Sequence, residues 1–249
     1  MALVAAAVCP HPPLLVPEVG VGLDLPVRDA AQRAVADLVA AEPDLLVVVG
    51  DDPQAVADPV SYGPQDTGSL SAFGVGSTYA LGPAADRSTL PAASRLPLSL
   101  TVGAWLLAGS GWAGPRRAYG LPSGFATADA AALGARIAGL DDRVALLCMG
   151  DGSARRTEKA PGWLDPRADP FDAAVARALR EADPDALLAL DADRAADLLV
   201  AGRASWQVLA GAAAGPGWAA ELLHDEAPFG VGYLVSSWRA IPSASGRPR

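Results

Sequence analysis

Three short polar groups, each following an apolar run, hold most of what could do chemistry in this 249-residue chain. Leu3 to Val8 leads into Cys9-Pro10-His11-Pro12-Pro13. Leu45 to Val49 leads into Gly50-Asp51-Asp52-Pro53, and Val144 to Met149 into Gly150-Asp151-Gly152-Ser153-Ala154-Arg155-Arg156. His11 is one of two histidines, and three prolines fix the backbone around it. It reads either as a ligand or acid/base group held in one direction, or as an imidazole hydrogen-bonded at a loop edge. Adjacent carboxylates such as Asp51 and Asp52 repel unless a cation, a proton or an arginine intervenes. The bland alternative is that one caps a turn while the other is solvated. An imidazole with carboxylates suits Fe, Mn or Zn, so His11 and Asp52 are the first metal candidates, with Asp51 and Asp151 behind them.

The Gly150-Asp151-Gly152-Ser153 turn has the form of an anion nest, and Arg155 or Arg156 could clamp a carboxylate beside it. It lacks the Lys-Ser/Thr end of a phosphate loop. The plain alternative pairs these arginines with Glu158 or Asp151 at the surface. His224-Asp225-Glu226 is a further candidate ligand or acid/base group, and otherwise a solvated turn. Serine-hydrolase chemistry has no Gly-x-Ser-x-Gly elbow with a histidine to serve it.

These groups converge only if their runs are neighbouring strands. Each run is continuous rather than alternating, as a parallel strand covered on both faces should be. Helical patterns lie between them. Val27, Ala31, Val35 and Leu38 share a face behind Pro26, and Leu133 and Ile137 share one behind Thr127 as N-cap. Asp169-Pro170 opens a helix with Phe171, Val175, Ala178 and Leu179 inside. Further helices are expected over Ala192 to Val200 and Ser205 to Ala213, and a last strand over Gly230 to Trp238. Strands alternating with helices predict an α/β fold: a central, mostly parallel sheet flanked by helices. In such sheets ligands sit beyond the carboxyl ends of the strands, where His11, the aspartates and the glycine turn would meet. Residues 1–241 read as one domain, Asp52 to Leu96 as an irregular functional loop, and 242–249 as a disordered tail.

Half the residues are apolar and 19% are charged, which excludes a disordered chain. The net charge is −9, with Lys159 the only lysine and no basic run, so neither nucleic acid nor an anionic membrane is an expected partner. No run approaches the ~20 apolar residues of a membrane span. The apolar start lacks a basic leader and reads as a buried strand. Two cysteines form no metal framework, and free thiols fit the cytoplasm. Six tryptophans suit either a core or a homodimer.

Cys9-Pro10-His11-Pro12-Pro13-Leu14, Val47-Val48-Val49-Gly50-Asp51-Asp52, Gly150-Asp151-Gly152-Ser153 and Ser205-Trp206-Gln207-Val208-Leu209-Ala210-Gly211-Ala212 together resemble the catalytic subunits of the class III extradiol ring-cleavage dioxygenases. Met149 through Arg156, with Lys159-Ala160-Pro161-Gly162, resembles an uncharacterised actinobacterial branch of that superfamily, which also holds relatives of the Memo proteins. The resemblance implies the α/β fold of those catalytic subunits. It also implies Fe2+ held by two histidines and a glutamate, with a further histidine as acid/base. Residue by residue, His11 matches the first ligand. Asp52 stands at the second histidine, Gly202 at the glutamate and Arg156 at the acid/base histidine.

The expected function is therefore an extradiol dioxygenase-like oxidoreductase with a degenerate site, Zn or Mn replacing iron if ligation is oxygen-rich. The rival is a non-catalytic member of the same fold that binds a small anion or a protein, with Gly150, Gly152, Ser153, Arg155 and Arg156 as donors. A metal-assisted hydrolase using the aspartates is a third reading. The expected ligand is a small aromatic or anionic molecule, and Arg156 in the pocket would favour an anion.

Overall fold

A computed structural model describes residues 3–83, 95–215 and 217–241. Seven strands form its centre: β1 (Leu3–Cys9), β2 (Leu45–Asp51), β3 (Val60–Tyr62), β6 (Arg116–Leu121), β7 (Val144–Met149), β8 (Trp218–Glu226) and β9 (Tyr233–Ala240). They lie in one sheet in the order β3-β6-β2-β7-β1-β9-β8. The four inner strands β6, β2, β7 and β1 run parallel, and antiparallel strands finish both edges. A second, two-stranded sheet pairs β4 (Thr67–Ser69) with β5 (Thr78–Ala80).

Burial on both faces explains the continuous apolar runs. Val47, Val49, Leu146 and Cys148 pack to one side with α3 (Thr127–Ala138), α4 (Ala168–Glu181) and α7 (Arg203–Ala212). Their strand neighbours Leu46, Val48, Leu147 and Met149 pack to the other side with α1 (Pro26–Ala40) and α2 (Leu98–Gly109). Alternation along a strand thus feeds two apolar layers rather than one apolar and one wet face. The α1 stripe of Val27, Ala31, Ala34, Val35 and Leu38 is buried, with Pro at the start where its missing N–H costs nothing. No helix of the described residues is long and apolar enough to cross a membrane.

Several local expectations change. Thr127 is the first residue of α3, and the N-cap is Ala126 with no side-chain bond. Asp52 to Leu96 includes β3, β4 and β5, each three residues long and too short to show a period. The stretch expected as one helix from Ala192 splits: α6 is Ala192–Asp197 and Leu199 turns left-handed at φ 56°. Before it lies α5 (Pro184–Leu188), capped by Asp183. The last strand begins at Tyr233 rather than Gly230. His224-Asp225-Glu226 is no turn but the end of edge strand β8, paired with Val235, Leu234 and Tyr233. The expected disordered tail lies outside the described residues.

Candidate functional site

The register of the three adjacent strands β2, β7 and β1 builds the site. Val49 is level with Cys148, and Cys9 with Met149, so the residues just beyond share one edge of the sheet. There Asp51 ends β2, Asp151 follows β7, and His11 follows β1. Asp151 Oδ1 accepts the His11 backbone N–H at 2.8 Å. The His11 ring stands between two carboxylates, with Nε2 3.2 Å from Asp51 Oδ1 and Nδ1 3.7 Å from Asp151 Oδ1. Neither contact has hydrogen-bond geometry, and His11 Nδ1 and Asp51 Oδ1 are buried without a partner. Burial pushes the Asp151 carboxyl above its ordinary value; His11 pulls the other way and Asp51 adds to the rise. Asp51 is the more open carboxylate, with 22% of its side chain exposed against 16% for Asp151. It lines a cavity of about 500 Å³ with Ser123, Asp193, Leu199, Arg203 and Ala204.

The buried Arg203 guanidinium in that wall is already engaged by Gln207 and the carbonyls of Ser123 and Phe125. Sequence reasoning missed it, because two of its acceptors, the Ser123 and Phe125 carbonyls, lie about 80 residues earlier in the chain.

Asp52 does not join His11. Its side chain is buried, accepts from the Tyr62 hydroxyl at 2.8 Å, and caps the Gln54 amide at 2.9 Å. It works as a joint between β2 and β3. The Gly150–Arg156 turn offers no anion nest, because most of its amides are engaged. Gly150 donates to Cys9 O, Gly152 to Gly232 O, Ser153 to Asp172, and Arg156 to Gly230 O. The Ser153 hydroxyl donates to Leu198 O, and Arg155 donates to the Gly162 carbonyl. Arg156 holds Asp172 at 3.0 Å and also contacts Asp169, both on α4, rather than facing a ligand or Glu158.

His224, Asp225 and Glu226 stand two strands from β1, roughly 10 Å away at the usual strand spacing. Asp225 raises the pKa of the buried Asp172 on α4. Burial lowers the His224 pKa, with Glu226 and Asp225 opposing.

The iron set implied by the resemblance does not fit these residues. Asp52 is engaged by Tyr62, and Arg156 by α4. At Gly202 a Cβ would run into the Trp206 ring, and a Cβ on Gly150 would run into Gly202 Cα. The backbones have closed over the space that a glutamate side chain would need. Zn or Mn fares no better on the remaining cluster. Asp51 and Asp151 face different nitrogens of His11, so one ion cannot bind the ring and both carboxylates together. Among the described residues no group of three His, Cys, Asp or Glu is disposed to hold a metal ion.

No family model matches the chain. Protein CA_C1420 of Clostridium acetobutylicum is 28% identical over 108 residues, which are 43% of this chain and only 23% of that protein. Among solved structures, the crystal structure of uncharacterized protein JW3007 from Escherichia coli K12 aligns with a TM-score of 0.59 and 13% identity. That alignment covers 95% of this chain and 100% of that one, and it is a likeness of fold.

Proposed function

We propose that this chain is an extradiol dioxygenase-like protein that binds a small molecule at His11, Asp51 and Asp151 without cleaving an aromatic ring. The observation that carries the reading is the His11 imidazole set between two carboxylates, one of which, Asp51, lines the cavity. Such a site accepts hydrogen bonds from a ligand. Its ligand carries a donor, an ammonium or a hydroxyl, on a small aromatic or aliphatic body. An anionic ligand is disfavoured here, because Asp51 and Asp193 line the cavity against Arg203. The cavity of about 500 Å³ falls within the range of metabolite pockets.

The test pairs binding with turnover. Benzylamine is expected to bind saturably, with affinity reduced roughly tenfold or more by Asp51→Asn. After anaerobic Fe(II) loading, catechol is expected to give no oxygen uptake and no ring-fission chromophore. Turnover of catechol, or benzylamine binding indifferent to Asp51→Asn, overturns the reading.

A further inference from the structure

At the opposite end of the sheet lies a buried cation with no ion-pair partner among the described residues. Arg116 begins β6 and is level with Leu46, while Asp51 is level with Leu121. Five strand residues therefore separate it from the His11 end, roughly 16 Å. Arg116 is 6% exposed. Its Nη1 donates to the Leu81 carbonyl at 3.0 Å and its Nη2 to the Trp112 carbonyl, while Nε is buried without a partner.

No carboxylate of the described residues forms an ion pair with it. Burial pushes its pKa down. A buried charge held only by carbonyl dipoles is costly, and an incoming anion would relieve that cost. Arg116 also lines a cavity of about 530 Å³. The walls include Tyr62, Pro64, Pro83 and Ala113, and Arg117 adds a second cation. Apolar walls around a guanidinium with no ion pair among the described residues describe a receptor for an oxyanion on a small apolar body.

We propose that this cavity is a second binding site, distinct from the His11 site, that takes a small organic anion through Arg116. The two sites are opposite in sign. One presents carboxylates to a donor, and the other presents a guanidinium to an acceptor. Their occupants are therefore separable by charge alone.

Benzoate and inorganic phosphate are the probes, titrated calorimetrically against the full chain. Benzoate is expected to bind saturably and to lose ~10-fold or more in affinity in Arg116→Gln. Because Arg116 is buried, that variant could fail to fold, so Ala113→Glu serves as the second. Residue 113 is exposed and outside any helix or strand, so a carboxylate there enters the cavity mouth and leaves Arg116 intact. It should weaken benzoate to a similar degree, with a thermal midpoint no lower than that of the wild type. Asp51→Asn should leave benzoate affinity unchanged.

Competition by phosphate would show that the oxyanion head alone is recognised. Binding undisturbed by phosphate would show that a carboxylate with its apolar body is required. No saturable binding of either probe, or benzoate affinity indifferent to Ala113→Glu, overturns the proposal. A failure of benzylamine at the His11 end leaves this test untouched.

Discussion

Replacing Arg156 by alanine separates a ligand-binding arginine from a structural one. The Asp172 side chain is 1% exposed; Arg156 donates to it at 3.0 Å and the Ser153 amide at 2.9 Å. Gly152 and Gly232 back closely onto the same carboxylate, so it cannot swing out to water without moving backbone. Removing one partner of a buried pair costs about 3–5 kcal/mol. Arg156 is one-fifth exposed, water can enter the vacated space, and the lower end applies. At about 2–4 °C per kcal/mol for a chain of this size, a fall of ~6–12 °C in Tm is expected.

The sign of the pH dependence follows from Asp172. Burial already raises its pKa, and the Ser153 amide and Arg156 hold it back. Without Arg156 it rises further. A carboxyl raised in the folded state keeps a proton that the unfolded chain has released, so stability falls as pH climbs from the ordinary carboxylate range through the folded pKa. Wild type and variant should therefore differ less at about pH 4, where more of Asp172 is protonated, than at about pH 7.5. Urea denaturation at the two values reads this directly. An equal loss at both, or a Tm change under ~2 °C, would refute a buried Arg156–Asp172 pair.

Two further outcomes follow from the same packing. Tyr62→Phe removes the hydroxyl that Asp52 accepts in a buried setting, and should lower unfolding free energy by about 1–3 kcal/mol in urea titrations; no change would mean that Asp52 is satisfied elsewhere. Cys9 and Cys148 are both buried free thiols whose pKa burial pushes far up, so a disulfide reagent should label neither in the native state and both after denaturation. Rapid native labelling would contradict the placement of these strands.

Much of the site's address was legible in the sequence, and its membership was not. The runs at Leu3, Leu45 and Val144 declared themselves because both faces of an inner parallel strand are buried, which leaves a contiguous apolar signature. Ligand sites lie at the carboxyl ends of such strands, so His11, Asp51 and Asp151 could be named together before any geometry. Which neighbour of an Asp-Asp pair faces the imidazole depends on where the strand stops and what lies across it. The short β3, silent in the sequence, brings Tyr62 to Asp52 and leaves Asp51 for His11. Arg156 looked like a ligand clamp because its partners, Asp169 and Asp172, lie 13 and 16 residues on and reach it only when α4 docks. His224-Asp225-Glu226 read as a turn because edge strand β8 has no continuous apolar run, and its identity comes from pairing with β9. Local composition determines what a segment buries. Long-range pairing decides which polar groups are left over, and His11 with Asp51, and Arg116 with no ion pair among the described residues, are the groups on which the two proposed sites rest.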